Sequence, residues 1–163
     1  MSRTIVVAHD FAPCADAAAR LAVRDLLGGG SPATLVLCHV YTIMPLPLGL
    51  DGAAGVGAGL VELERAVATE SQKRLENAAA TLRADVAALR TERPGLPEVT
   101  VTAAVRQDAP AEGVVAEAAA RGAERIYVGT HGRTGITHVL LGSVAERIAR
   151  LAKVPVTVVK NDT

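Results

Sequence analysis

The chain has 163 residues, half of them apolar, which is one ordinary domain with enough apolar surface to build a core. Its 17 Lys and Arg balance its 17 Asp and Glu, and its only aromatic residues are Phe11, Tyr41 and Tyr127. A neutral chain without stacking platforms excludes a general nucleic-acid binder, and no apolar run reaches the ~20 residues needed to span a bilayer.

In chain order, "TIVVAHD" (4–10) is a short apolar, β-branched run and predicts a strand. No leader-like segment precedes it, so a cytoplasmic protein with free thiols at Cys14 and Cys38 is expected. Ala18, Leu21, Ala22 and Leu26 fall at helical spacing, and the glycines at 28–30 stop that helix. "ATLVLCHVY" (33–41) is a second strand, apolar almost throughout, as strands covered on both faces are. Residues 45–59 hold two prolines and five glycines and predict a mobile loop. From about Leu60 to Thr91, the stripe Leu75, Ala79, Leu82, Val86, Leu89 marks a long helix. "EVTVTAAV" (98–105) is a third strand. Asp108 is the expected cap of the next helix, with Pro110 in its first turn and Gly122 at its end. "RIYVGT" (125–130), "SVAERIARLAK" (143–153) and "VPVTVVK" (154–160) complete the series as strand, helix and strand. Strict alternation of strand and helix implies one α/β domain over residues 1–163, a doubly wound five-stranded parallel sheet with helices on both faces.

The segment "GTHGRTGITHVLLGS" (129–143) leaves the carboxyl end of the fourth strand, the edge at which such sheets bind ligands. It leads into a helix whose first N–H groups and positive dipole end suit a phosphate. Gly129 and Gly132 permit positive φ and close approach of backbone to ligand. Gly142 does the same at the helix entrance, Ser143 offers a hydroxyl, and Arg133 offers charge. The bland alternative is a glycine-rich turn in which Ser143 serves as N-cap. No Lys precedes Ser143, so this is not a P-loop, and it is not GxGxxG.

Gly129-x2-Gly132-x9-Gly142-Ser143 resembles the nucleotide-binding signature of the universal stress protein family, in its ATP-binding branch. The resemblance extends over nearly the whole chain: "IVVAHDF" looks like that family's first strand with its terminal Asp, and "LVLCHV" like its second. "GSVAERIARLAKVPVTVVK" looks like its closing helix and strand. The resemblance implies strand order 3-2-1-4-5. It also implies a bound adenine nucleotide, ATP or else ADP or AMP, with Mg2+ as a candidate companion. Carried over residue by residue, Asp10 and Val40 would lie against adenine or ribose, with Val128 nearby. Gly129, Gly132, Gly142, Ser143 and Val144 would line ribose and phosphates. The competing role for Asp10 is a local cap of the first helix. One departure stands out: Ala12 occupies a position where the family often has Ser, which removes a polar contact at the start of that helix.

His39 lies in an apolar run and is expected to be buried and hydrogen-bonded rather than a metal ligand. His9 beside Asp10, and His131 between two signature glycines, are candidates for ligand proximity. His138 is not spaced for a metal, and the two cysteines read as small apolar residues. The apolar last strand would leave an exposed edge, so pairing with a second copy through residues 154–160 is expected, as the resemblance also implies. The resulting expectation is a cytoplasmic, homodimeric, ATP-binding regulatory protein of the stress response. It would act through an unidentified protein partner, without efficient turnover. The alternatives are a slow ATP hydrolase or phosphotransferase on the same fold, and an interaction module that binds no nucleotide.

Overall fold

The structure is a computed structural model that describes residues 3–43, 56–130 and 141–160. Among these residues nine elements alternate strictly: β1 (Arg3–Ala8), α1 (Pro13–Gly28), β2 (Ala33–Tyr41), α2 (Val56–Glu92), β3 (Val99–Gln107), α3 (Pro110–Ala120), β4 (Arg125–Gly129), α4 (Ser143–Leu151) and β5 (Val156–Val159). The five strands form one sheet in the order β3-β2-β1-β4-β5, every neighbouring pair parallel. This is the doubly wound sheet expected from the alternation.

Strand pleating sorts the apolar side chains into two cores. Ile5 and Val7 of β1, Leu35 and Leu37 of β2 and Tyr127 of β4 pack under α1 and α2. Val6, Val36, Cys38, Ile126 and Val128 face the other way and pack under α3 and α4. With few aromatics to fill space, α1 presents a small-residue face of Ala15, Ala18, Ala19 and Ala22, which lets the helix lie close on the sheet. The Tyr127 ring is buried beneath α1 and its hydroxyl donates to Asp25. Burial first, then the hydrogen bond and charge of Asp25, push the Tyr127 pKa above its ordinary value.

Local chemistry moves several boundaries. β1 ends at Ala8, which leaves His9 and Asp10 in the turn beyond it and not in the strand. The N-cap of α3 is Ala109, not Asp108. Pro110 forces the residue before it into extended geometry (φ −66°, ψ 138°), and Asp108 Oδ1 accepts the Ala109 N–H instead (2.7 Å). Gly122, with φ +58°, takes the left-handed turn just past that helix, as expected. α2 begins at Val56, so residues 56–59 of the expected loop are helical, while 45–55 lie outside the described residues. Each glycine there costs ~1 kcal/mol relative to Ala, a penalty that the long helix that follows tolerates at its first turn. β5 is shorter than 154–160, because Pro155 cannot donate to the ladder.

A buried carboxylate pins α3 to the sheet edge. Glu117 accepts from Arg106 of β3 and from Arg121 one turn on, both at 2.8 Å. Burial pushes its pKa up, but the two guanidiniums outweigh it and hold the group below the usual carboxylate value.

Candidate functional site

The strand order reverses between β1 and β4. The chain leaves β1 toward the α1 face and leaves β4 toward the α4 face, so a crevice opens at the carboxyl ends of these two neighbours. A cavity of about 370 Å3 lies there, within the range of small-ligand sites. Asp10, Val40, Val128, Gly129, Ser143 and Val144 all line it. Four segments widely separated in sequence thus converge on one cleft. Gly132 and Arg133, with His131 and His138, lie outside the described residues.

Gly129 ends β4 where α1 passes closest. A Cβ there would come within 2.7 Å of the Cys14 Cβ and 3.1 Å of the Cys14 carbonyl oxygen. Its φ is not positive, so the expectation of a left-handed glycine is corrected: close packing excludes a side chain at this position. Gly142 is likewise in extended geometry (φ −67°, ψ 150°) and is itself the N-cap of α4. Its N–H donates to the Thr130 carbonyl (2.7 Å), and the Thr130 N–H donates to Val159 of β5 (2.8 Å). A Cβ on Gly142 would stand 2.8 Å from that Thr130 oxygen. Ser143 is therefore the first helical residue and not the cap, and it is exposed at the cleft. The N–H groups of Ser143, Val144 and Ala145 precede the first intrahelical bond, which Glu146 makes to Gly142 (2.9 Å). The arrangement presents positive dipole at the rim of the cavity.

At the opposite rim Asp10 does two things. Its Oδ1 accepts the Ala12 N–H (3.0 Å), the local contact expected of a turn carboxylate, and the residue also lines the cleft. Ala12 is the N-cap of α1 and makes no side-chain cap, the consequence of lacking the Ser noted above. Val40 is pressed by α3, because Gly113 has no Cβ: one built there would lie 2.7 Å from Val40 Cγ1.

Both described histidines line the cavity. His39 is buried, and its Nδ1–H donates to the His9 carbonyl (2.7 Å), as its apolar setting led us to expect. His9 is buried with both ring nitrogens engaged. Nδ1 accepts the Phe11 N–H (3.3 Å), which leaves Nε2 carrying the proton toward Asp16 (3.2 Å). Burial depresses the His9 pKa below 6.5, and Asp16 offsets this only in part. The unfolded chain therefore takes up a proton below pH 6.5 that the folded chain refuses until lower pH. Stability should fall across that window and level off beneath it. Urea melts of the native protein between pH 7 and 5 should show the decline, and His9→Asn should flatten it. An equal slope in the variant would assign the decline elsewhere.

Cys38 also lines the cavity, but burial pushes its thiol up to about 12, so it is protonated and inert at neutral pH. No group of His, Cys, Asp and Glu among the described residues is arranged to hold a metal. No helix among them is long and apolar enough to cross a membrane.

Sequence reasoning missed the contribution of α3, whose Pro110 and Val114 close one wall. The signal was available: Pro110 opens a helix that must begin at the same sheet edge as α1 and α4, and Gly113 marks a close approach.

The universal stress protein family model matches residues 1–160. The chain belongs to the universal stress protein family. Among curated relatives, universal stress protein Rv2005c of Mycobacterium tuberculosis is 42% identical over 64 residues. That match covers 39% of this chain and 21% of the relative, so the chain spans well under two thirds of its length. Among solved structures, hypothetical protein MJ0577 superposes with a TM-score of 0.75 at 24% identity, covering 100% of this chain and 99% of that one. A universal stress protein in complex with cAMP gives 0.59 at 21% identity, covering 96% of each chain. A family member from Arabidopsis thaliana with AMP bound gives 0.57 at 13% identity, covering 99% of this chain and 93% of that one. At these identities the structural likeness establishes the universal stress protein fold.

Proposed function

We propose that this universal stress protein binds an adenine nucleotide in the β1/β4 cleft and acts in the cytoplasm as a nucleotide-dependent regulatory protein. The observation that carries the reading is the convergence of Asp10 and Val40 with Gly129, Ser143 and Val144 on one cavity. The two structural neighbours with cAMP and AMP support it. Asp10 would accept from a ribose hydroxyl or the adenine amino group, and Val40 and Val128 would pack on the flat base. The first-turn N–H groups of α4 and the Ser143 hydroxyl would donate to phosphate oxygens. Gly132 and Arg133, outside the described residues, keep the phosphate role that the sequence suggests for them in this reading. Mg2+ would enter with the phosphates as their counter-ion. Asp10 is the only carboxylate lining the cleft among the described residues, and it lies on the β1 side, across from α4. On this reading the cleft binds the nucleotide with at most slow hydrolysis.

Titration calorimetry with ATP, ADP, AMP and GTP, alongside a phosphate-release assay, tests this. Adenine-selective binding without steady phosphate release is expected. Release at ordinary enzyme rates would make the protein a hydrolase, and no binding would make it an interaction module.

The same reading includes a homodimer. β5 is an edge strand carrying the exposed Val158, and Leu151 is exposed at the end of α4 beside it. Pairing β5 of two copies would cover both. Sedimentation should give twice the chain mass at micromolar concentration. A monomer there would leave β5 an open edge.

A further inference from the structure

The turn between β1 and α1 holds the one non-glycine residue with positive φ among the described residues, Phe11 at 68°. A bulky side chain rarely adopts this conformation, and such outliers persist only where the surroundings over-determine them. The surroundings here do so. The Phe11 N–H donates to His9 Nδ1, the next N–H donates to Asp10 Oδ1, and His39 Nδ1 fixes the carbonyl of His9. The ring is held as firmly as the backbone. Its centroid lies 4.5 Å from that of His39 and 5.4 Å from that of His9, and the Arg74 guanidinium of α2 stands 4.1 Å from it. A glycine would reach the same backbone geometry without strain but would bring no anchor. Phe11 itself does not line the cleft, whereas Asp10, the residue before it, does.

We propose that Phe11 is a positioning residue for the cleft: its left-handed backbone turns the Asp10 carboxylate toward the ligand, and its ring, clamped by His39 and Arg74, keeps the turn in place. The proposal rests on the adenine-nucleotide reading of the site. It also makes α2 a support of the cleft, since Arg74 of α2 stands over the Phe11 ring.

The test is a double-mutant cycle on ATP affinity by calorimetry, with thermal melts of every variant. Phe11→Ala should weaken ATP binding about tenfold, and Asp10→Ala at least as much. The double variant should bind no more weakly than Asp10→Ala alone, because Phe11 acts through Asp10. Phe11→Gly, which takes the left-handed backbone freely, should recover part of what Phe11→Ala loses. Arg74→Met, on the exposed face of α2, should cost about threefold. Unchanged affinity in a folded Phe11→Ala protein would overturn the proposal, as would losses that multiply in the double variant. If Phe11→Ala does not fold, an Arg74→Met protein with wild-type affinity would overturn the clamp. Wild-type protein that binds no ATP would overturn the nucleotide reading itself, before any variant is made.

Discussion

Replacing Gly142 with Asp should weaken ATP binding about a hundredfold while the protein stays folded. Two effects add. Asp is a favoured N-cap, so its carboxylate would accept the first-turn N–H groups of α4 that the phosphates need, and its charge would repel them. Losing charge-assisted hydrogen bonds of this kind costs about 1.5–3 kcal/mol, enough for one to two orders of magnitude in affinity. The new Cβ would also press on the Thr130 carbonyl, 2.8 Å away. Gly142→Ala carries that crowding without the charge and should lose far less. Calorimetry on both variants separates the two effects. Equal losses would assign the whole effect to crowding and none to a phosphate site.

Gly129→Val should cost about 3 kcal/mol of stability, at the upper end of overpacking penalties. Its Cβ would overlap the Cys14 backbone, and backbone yields less readily than a side-chain tip. To relieve the clash β4 and α1 must separate, which opens the core around Ala15, Ala18 and Tyr127. For a chain of this length a loss of that size lowers the melting temperature by roughly 6–12 °C. Calorimetric melts would measure it. A variant that melts with the wild type would show that α1 is not seated against Gly129.

The fold was legible because its signals are local. Strand and helix patterns alternate without interruption, and the apolar runs of β1 and β2 announce burial on both faces. The candidate cleft was legible where residues are adjacent in sequence, as at Gly142, Ser143 and Val144, or lie at or just beyond the carboxyl end of a strand, as at Val40 and Asp10. Contacts between elements distant in sequence were not. Nothing near Gly129 reports that Cys14 lies against it, so its glycine was credited to backbone freedom rather than to packing. Ala109 as cap in place of Asp108 depends on Pro110, a rule of neighbours that the preference for Asp obscured. The place of Pro110 and Val114 in the cleft wall required the three-dimensional order of strands. So did the engagement of both His9 nitrogens and the clamp on Phe11.

The central claim is that the β1/β4 cleft holds an adenine nucleotide. The most direct measurement is of what the protein already carries. Protein purified without added nucleotide would be denatured, and the released small molecules separated by chromatography and identified by mass. The account predicts adenine nucleotide near one per chain from the wild type and little or none from Gly142→Asp. A wild-type protein that releases none and then fails to take up ATP would contradict it.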